Sequence, residues 1–270
     1  MKNILITGST DGLGKLTALK LAKEGHTVHI HGRSDAKVTA ILSEIKALSG
    51  NDKSKGYVAD FSDLEAVSRM AVQINTEIPV IDVLINNAGV FKSKTSVNKD
   101  GLDIRMVVNY LAPYLLTNAI LPVLKKSDNP RIINLSSAAQ APVSETVLTG
   151  KEQVSESETY AQSKLALTTW SFELAQIEKN IVVIAVNPGS LLNTKMAIEA
   201  YGQHWSPAEK GMNILFELAI SETYKDSSGI YFDNDKGEDK GHISTAHPDA
   251  YNTSKIKSLI TLTKSLVAKY

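Results

Sequence analysis

The chain has 270 residues, with 29 basic and 29 acidic side chains, a formal net charge of zero and no cysteine. The missing thiols exclude disulfides, iron–sulfur clusters, thiolate zinc sites and a cysteine nucleophile. Neutrality argues against nucleic acid or an anionic membrane surface as a partner, because both attract basic proteins.

The N-terminal segment carries no targeting signal that we recognise. It begins with a short apolar run, MKNILITGST, which reaches polar turn residues at once. A secretory leader needs a longer apolar core and a small-residue cleavage site. No run approaches the roughly 20 apolar residues of a membrane span. We therefore expect a cytoplasmic protein without a membrane span.

Short apolar runs alternate with segments whose apolar residues recur at helical spacing. The predicted strands cover residues 3–7, 27–31, 56–59, 80–85, 131–135, 181–186 and 229–232. The predicted helices cover residues 12–24, 36–48, 64–78, 101–125, 158–178, 206–219 and 250–269, with the fourth broken or started near Pro113 and ended by Pro122. Two segments break the rhythm, because 138–157 is polar and loop-like and 233–241 is charged and expected to be solvated.

This alternation predicts an α/β Rossmann fold. Repeated strand–helix–strand units build a doubly wound, seven-stranded parallel sheet with helices on both faces. No linker divides the chain, so we expect a single dinucleotide-binding domain over residues 1–270. Residues 190–210 are expected to form a substrate loop, and residues 233–270 a C-terminal extension.

A glycine-rich turn joins the first predicted strand to the first predicted helix, over residues 8–14. Glycines let the backbone approach a pyrophosphate, and the free N–H groups at a helix start favour negative charge. The spacing is G-x-x-x-G-x-G rather than the commoner G-x-G-x-x-G. A tight turn without a ligand is the alternative interpretation.

The end of the second predicted strand bears on cofactor choice. Dinucleotide folds that bind NAD carry an acidic residue here, whereas an arginine accommodates the 2′-phosphate of NADP. No acid lies between residues 27 and 34, and Arg33 stands there with Ser34 beside it. This favours NADP over NAD. Asp35 is close enough to keep NAD open, and an ordinary surface role for Arg33 is the other alternative.

Further polar residues follow the third and fourth predicted strands, at the carboxyl ends where open α/β sheets bind ligands. Asp60 and Phe61 follow the third strand, and Asn86-Asn87-Ala88-Gly89 follow the fourth. We interpret Asn86 as structural, its amide bridging neighbouring strand ends. For Asn87 a structural role and a ligand contact are equally supported.

Tyr160 and Lys164 stand four residues apart in a predicted helix and share one face of it. A neighbouring ammonium favours the phenolate, so we expect the pKa of Tyr160 to fall from about 10 toward working pH. Such a tyrosine can exchange a proton with a carbonyl or alcohol oxygen. Ser136 and Ser137 end the fifth predicted strand and point to opposite faces, so one of them can hold the same oxygen.

Taken in order along the chain, these motifs resemble the short-chain dehydrogenase/reductase family. The resemblance covers residues 7–14, Asp60, 86–89, Asn109, Ser137, the Tyr160–Lys164 pair and 187–189. The segment between Ser137 and Tyr160 is longer than in the usual form of the family. In this it resembles the retinol dehydrogenase-like subgroup.

The resemblance implies catalytic roles for four residues. Tyr160 would be the general acid/base, and Lys164 would lower its pKa and hold the nicotinamide ribose. Ser137, the second serine of the pair, would stabilise the substrate oxygen. Asn109 would support a water relay to Lys164.

The resemblance also implies a set of cofactor contacts. Gly12 to Gly14 would cradle the pyrophosphate, Asp60 would touch the adenine, and Pro188-Gly189 would flank the nicotinamide. The expected contacts are Gly8, Ser9, Thr10, Asp11, Gly12, Leu13, Gly14, Arg33, Ser34, Asp60, Phe61, Asn87, Ala88, Gly89, Tyr160, Lys164, Pro188, Gly189, Leu191 and Leu192.

The implied substrates are apolar aldehydes, ketones or secondary alcohols, and the implied assembly is a homodimer or homotetramer. Met196, Tyr201, His204 and Trp205 either line an apolar substrate pocket or pack a mobile helix. No metal is expected. His26, His29 and His31 lie close in sequence, but no fourth ligand accompanies them.

The leading hypothesis is an NADP-dependent oxidoreductase that moves a hydride between nicotinamide and a carbonyl or alcohol carbon. One alternative is a non-catalytic dinucleotide-binding regulator on the same fold, which would not need Ser137, Tyr160 and Lys164. A serine hydrolase is a weaker alternative, because Ser137 lacks the G-x-S-x-G turn of such enzymes.

Overall fold

The computed structural model describes residues 1–235 and 241–270. One eight-stranded sheet runs through it, in the order β3-β2-β1-β4-β5-β6-β7-β8. The strands are β1 (Asn3–Ile6), β2 (Thr27–Gly32), β3 (Gly56–Val58), β4 (Val83–Asn86), β5 (Arg131–Leu135), β6 (Val182–Asn187), β7 (Ile230–Asp233) and β8 (His242–Ser244). The first seven strands pair in parallel, and β8 pairs antiparallel with β7.

The predicted Rossmann architecture is confirmed, but the count of seven strands is wrong. The eighth strand, β8, has three residues and follows a charged segment, so its sequence carries no strand pattern. It forms because β7 offers a free edge for pairing.

Helices pack on both faces of the sheet. They are α1 (Gly12–Lys23), α2 (Asp35–Ser49), α3 (Leu64–Glu77), α4 (Ile104–Met106), α5 (Ala112–Leu124), α6 (Glu145–Leu148), α7 (Glu156–Ile177), α8 (Lys195–Tyr201), α9 (Ala208–Ile220) and α10 (Thr253–Val267). A π-helical turn, Val107–Leu111, joins α4 to α5, and the 3₁₀ turns are Glu222–Tyr224 and Pro248–Tyr251.

The two larger hydrophobic cores lie on opposite faces of the sheet, because alternate strand residues point to opposite sides. Leu5 of β1 packs into the core formed with α3, α5, α7 and α10. Its neighbours Ile4 and Ile6 pack into the core formed with α1, α2 and α9. Each such side chain contributes roughly 1.5–3 kcal/mol by leaving water, so burial on both faces fixes the strand register.

The predicted helix over 101–125 begins later than expected and is not ended by proline. It runs from Ile104 through the π turn to Leu124. Pro113 lies in the first turn of α5, where a missing N–H costs little. Pro122 lies inside α5, and the helix continues for two more residues.

The same segment bears on the membrane prediction. Residues 104–124 form a helical run long and apolar enough to cross a membrane by length and composition, and 67% of its apolar window is buried inside the fold. The expectation that no segment approaches the length of a span therefore does not hold. In this fold the run is packed as a core helix against α3 and α7.

The two segments that broke the predicted rhythm are more ordered than expected. Residues 138–157 contain α6, and Val147 and Leu148 of that helix are buried. The predicted solvated loop over 233–241 is wrong at its start, because Asp233 and Asn234 are buried. Residues 236–240 of that predicted loop lie outside the described residues.

Candidate active site

The glycine-rich turn lies where the order of the strands reverses. β1 pairs with β2 on one side and with β4 on the other, so the turn after β1 opens between them. Ligands of open α/β sheets bind at this switch point, outside the carboxyl ends of the strands. The structure therefore places the predicted phosphate loop where a dinucleotide would lie.

The two ends of the glycine-rich turn serve different purposes. A Cβ on Gly14 would lie 2.4 Å from both Asn87 Nδ2 and Gly8 O, so this glycine is required by packing inside the protein. A Cβ on Gly12 would meet nothing within 4 Å. The first i→i−4 bond of α1 runs from the Lys15 N–H to Asp11 O, so the amides of the preceding turn lie outside the helical ladder. Open space beside such amides fits a pyrophosphate.

Side chains beneath the turn hold its shape. The His31 Nδ1 accepts a hydrogen bond from the Gly8 N–H at 3.1 Å, and its Nε2 lies 3.0 Å from Ala59 O. Burial lowers the pKa of His31 to about 4, so the ring is neutral. The Asn87 amide donates to Thr7 O and to Gly8 O, both at 2.9 Å. The amide of Asn87 thus has a structural use.

The sequence assigns His31 no functional role, because no fourth metal ligand accompanies the three neighbouring histidines. Both of its ring nitrogens are engaged by the protein, and within residues 1–235 and 241–270 no group of three metal-binding side chains is placed to hold an ion. Strand β2 is buried along its whole length, so both faces of it carry buried side chains, including His31.

Three of the predicted cofactor contacts point away from the open side. Ser9 is fully buried, and its hydroxyl donates to Ile6 O at 2.8 Å. The buried ring of Phe61 stacks on His31 with centroids 4.2 Å apart. Leu192 is buried in the core under α9. These side chains support the site rather than face it, because the strands and turns point them into the packed layers.

The predicted NADP determinants lie at the exposed edge beside the turn. Arg33 is exposed directly after β2, and Ser34 caps the N-terminus of α2. The Lys37 ammonium lies 3.7 Å from the Asp11 carboxylate. Asp35 and Asp60 are also exposed here, so the edge is not positive overall. The group suited to an added phosphate is the Arg33 guanidinium itself.

Tyr160, Ser137 and Lys164 come together at the ends of β4 and β5. The Ser137 side chain lies close enough to the Tyr160 hydroxyl to lower the pKa of the phenol. The Lys164 Nζ lies 5.5 Å from the Tyr160 ring centroid and donates to Leu135 O at 2.7 Å. A Cβ on Gly89 would lie 3.7 Å from that Nζ, so the lysine borders the loop after β4.

The expected fall in the pKa of Tyr160 is wrong for this structure. Burial raises the pKa of Tyr160 to about 12, opposed by the Ser137 hydrogen bond. Burial also lowers the pKa of Lys164 to about 8. The cost of removing both groups from water outweighs their attraction, because the ammonium is directed to the Leu135 carbonyl.

Ser136 and Ser137 point in opposite directions, as expected for neighbouring residues of an extended strand. Ser136 is buried, with its hydroxyl 2.6 Å from Thr168 Oγ1, so it faces α7 away from the phenol. Ser137 faces Tyr160, and its carbonyl accepts hydrogen bonds from the Tyr231 hydroxyl and the Gln140 amide, both at 3.0 Å. These last two side chains were missed at the sequence level.

Asn109 lies in the π-helical turn, and such turns are frequent at functional sites. Its amide donates to Val90 O and to Ser163 Oγ, both at 3.0 Å, and its carbonyl oxygen accepts the Val90 N–H at 2.8 Å. The side chain is thus engaged within the protein, and the predicted water relay stays a prediction. The structural interpretation of Asn86 is confirmed, since its amide donates to Asn134 and Thr117.

The loop after β6 carries Pro188 and Gly189 at the mouth of the site. The Asp235 carboxylate accepts hydrogen bonds from the Ser190 N–H at 2.7 Å and from the Asn187 amide at 2.8 Å. Leu191 adopts φ 45°, a left-handed backbone that costs a non-glycine residue about 1 kcal/mol or more. Asp235 thus clamps a strained turn, and no motif had indicated it.

Aromatic side chains border Tyr160 on the substrate side. The Phe91 ring lies 4.8 Å from the Tyr160 ring and 5.4 Å from the Tyr201 ring, between centroids. A Cβ on Gly89 would lie 3.7 Å from Met196 Cε. Met196 and Tyr201 thus lie near the site, and Tyr201, His204 and Trp205 are exposed, so their role as pocket lining stays a prediction. Phe91 was not predicted.

Comparison with known proteins gives the same family as the motifs. The chain matches the short chain dehydrogenase family model over residues 2–204. It is 31% identical to retinol dehydrogenase 13 of Mus musculus over 253 residues, which is 86% of this chain and 75% of that protein. It is 33% identical to polyprenol dehydrogenase of Homo sapiens over 200 residues, 70% of this chain and 60% of that protein.

Solved structures share the fold. A protein assigned to the short chain dehydrogenases from Escherichia coli CFT073, complexed with NADPH, superposes with a TM-score of 0.73 at 25% identity, covering 87% of this chain and 97% of that one. An uncharacterized protein from Mycobacterium paratuberculosis superposes with a TM-score of 0.79 at 24% identity, covering 99% and 94%, and shows the fold alone.

Motif order, fold and family match agree over most of the chain. The protein belongs to the short-chain dehydrogenase/reductase family, among members similar to the retinol dehydrogenases, and is an oxidoreductase acting on alcohols or carbonyls.

Proposed function

We propose that the protein interconverts an apolar aldehyde or ketone and the corresponding alcohol, with NADP as the preferred cofactor and Tyr160 as general acid/base. The observation that carries this proposal is the juxtaposition of the Tyr160 phenol with the Ser137 side chain and with the Lys164 ammonium one helical turn away. A bound nicotinamide supplies the hydride chemistry. The residues of the chain bind the substrate oxygen and move the proton.

In the direction of reduction, the Tyr160 phenol gives its proton to the substrate oxygen as negative charge develops there. The Ser137 hydroxyl donates a hydrogen bond to the same oxygen and keeps it near the phenol. The raised pKa of Tyr160 keeps the phenol protonated at neutral pH, which is the form that donates. The Lys164 ammonium then stabilises the phenolate that remains, since its pKa of about 8 leaves it mostly charged at neutral pH.

Two features support NADP. Arg33 is exposed at the end of β2, and Lys37 lies on the next turn of chain with its ammonium near Asp11. The Arg33 guanidinium suits the added phosphate, which arginine binds in a two-pronged contact. The related Escherichia coli structure holds NADPH.

An apolar substrate fits the walls around Tyr160. The Phe91 ring packs at a tilt against the Tyr160 ring, Tyr201 packs against Phe91, and Met196 approaches Gly89. Ligand sites of this kind are lined by apolar and aromatic side chains with a few placed polar groups. The similar proteins named for retinol and for polyprenol bear names of apolar alcohols.

The test is NADPH consumption by the purified protein against a panel of carbonyl compounds that ranges from retinal and long-chain aldehydes to small polar aldehydes. We expect turnover with the apolar members. Tyr160→Phe should lower kcat by about 10²–10⁴-fold, the size of a lost general acid, while NADPH still binds. Tyr224→Phe, remote from the site, is the matched control. Retained turnover in Tyr160→Phe would exclude the mechanism, and binding without any turnover would favour the regulator.

A further inference from the structure

A buried arginine lies behind the substrate wall of the site. Arg105 in α4 is 2% exposed, and its guanidinium contacts the N-cap of its own helix and two other segments. Nη2 lies 2.8 Å from the Asp103 carboxylate, while Nη1 donates to the Glu156 carboxylate at 3.2 Å and to the Phe91 carbonyl at 3.3 Å. An arginine removed from water destabilises the fold unless such contacts compensate the lost hydration.

Two of these contacts lead directly to the proposed acid/base. Phe91 is buried after β4, with its ring 4.8 Å from that of Tyr160. Glu156 stands in the first turn of α7, four residues before Tyr160 and on the same helical face. One guanidinium thus joins the backbone that carries the aromatic wall to the helix that carries the phenol.

Charge neutralisation alone does not explain this arrangement. Asp103 is buried and already balances the charge of the arginine at 2.8 Å. The Arg105 Nε is buried without a hydrogen-bond partner among the described residues, while Nη1 reaches two acceptors on other segments. The guanidinium is a rigid, planar set of donors, so its orientation fixes the relative positions of its acceptors.

We propose that Arg105 is a positioning residue that holds the Phe91 ring against Tyr160 and so excludes water from the phenol on the substrate side. The proposal rests on the proposed function of Tyr160. Phe91 is the group through which Arg105 acts, and it also forms the wall between Tyr160 and Tyr201. A lysine at this position has all its donors on one nitrogen, so it could not reach acceptors that Arg105 contacts from two separate nitrogens.

The experiment is a double-mutant cycle of Arg105→Lys and Phe91→Leu in the full chain. We expect each single variant to lower kcat by about tenfold for the best panel substrate, with little change in the KM for NADPH. The double variant should be no worse than Phe91→Leu alone, because residues that act through one contact are not additive. If the two substitutions lower kcat by factors that multiply in the double variant, the proposal is wrong.

A second readout does not need turnover. The ring resonance of Tyr160, assigned in NMR spectra by its loss in Tyr160→Phe, reports the pKa of the phenol without substrate. Entry of water in Arg105→Lys or Phe91→Leu should lower that pKa by roughly half a unit or more, since burial is what raises it. An unchanged pKa in both variants would overturn the proposal.

The matched control is Arg131→Lys. Arg131 is also a buried arginine with a carbonyl acceptor, Leu218 O at 2.9 Å, but it lies at the start of β5, the opposite end of that strand from Ser137. It should lower stability without moving the Tyr160 pKa. If Arg105→Lys does not fold, Glu156→Gln weakens one Nη1 contact at an exposed carboxylate and should shift the pKa in the same direction by less.

The two proposals fail separately. Turnover that survives in Tyr160→Phe would exclude the proposed function whatever Arg105 does. Turnover that requires Tyr160, combined with an unmoved phenol pKa in Arg105→Lys, Phe91→Leu and Glu156→Gln, would leave the proposed function intact and exclude only the positioning role.

Discussion

The nucleotide end and the substrate end of the site are built in opposite ways. Around the glycine-rich turn, the supporting polar side chains are withdrawn from water, with Thr7 and Ser9 at 0% exposure and His31 at 2%. On the substrate side, Tyr201 at the end of α8 and Trp205 beyond it are 53% and 67% exposed. The nucleotide end is thus a packed, hydrogen-bonded region, which we call the frame. The substrate end is bordered by an exposed segment, α8 and the residues up to Trp205, which we call the lid.

This difference separates the residues that bind a cofactor shared by many enzymes from the residues that would select the substrate of this protein. A cofactor shared by many reactions is best bound by donors already in place, because no binding energy is then spent on ordering them. The substrate end can change its side chains without disturbing that frame. Function differs between proteins of one fold through such changes.

The largest effect on cofactor binding and stability should come from Gly14, the most closely packed glycine of the turn. Gly14→Ala would force a Cβ to within 2.4 Å of Asn87 and of the Gly8 carbonyl, so the turn must move. We expect NADPH binding to be lost and the free energy of unfolding to fall by about 3 kcal/mol or more. Isothermal titration calorimetry and urea unfolding measure the two effects.

The matched variant is Gly12→Ala, which meets no atom within 4 Å and has only its φ of 52° to accommodate. It should lower stability by about 1 kcal/mol. Equal losses in the two variants would show that backbone conformation, rather than packing inside the turn, makes these glycines necessary.

Acid should weaken the frame through His31. Burial lowers its pKa from 6.5 to about 4, so as the pH falls the unfolded chain binds the proton first. Stability is thus full above about pH 6.5 and declines toward pH 4, by about 3 kcal/mol from this residue. Urea unfolding at a series of pH values should show a shallower decline in His31→Gln. His242→Gln, at an exposed position, is the control, and an equally shallow decline there would contradict the assignment.

Cofactor choice should depend on the exposed edge of the same end. Arg33→Ala removes a charge-assisted contact to the 2′-phosphate, so we expect NADPH affinity to fall by about 10–100-fold. NADH affinity should change little, because that cofactor lacks the phosphate. Fluorescence titration of both cofactors measures the ratio. Equal losses for both would place phosphate recognition elsewhere, and Lys37→Ala would then show the larger selective loss.

The smallest effect on stability should come from the lid. Trp205→Ala should leave the free energy of unfolding within about 0.5 kcal/mol, because the side chain is mostly exposed. The KM for bulky apolar substrates should rise several-fold while NADPH binding stays constant. Val72→Ala, an equally exposed apolar side chain on α3, is the control. A KM unaffected in Trp205→Ala would remove this residue from the substrate end.

Much of the nucleotide end could be predicted because its information is local. Alternating apolar runs and helical spacing placed seven strands, and the position of Gly8 to Gly14 after the first strand placed the phosphate turn. Spacing of four residues put Tyr160 and Lys164 on one helical face. The short strand β8 escaped prediction because its pairing partner, rather than its own composition, makes it a strand.

The rest depended on burial and on contacts between distant segments. The sequence by itself determined the fold class and the residue types of the proposed acid/base pair, because periodicity and spacing are properties of neighbouring residues. Only the tertiary structure decided that Ser137 rather than Ser136 meets the phenol, that His31 supports the turn, and that the pKa of Tyr160 rises. It also brought Phe91, Arg105 and Glu156 together across the chain. Desolvation and packing depend on the groups that surround a side chain in space. The order of residues along the chain does not specify those groups.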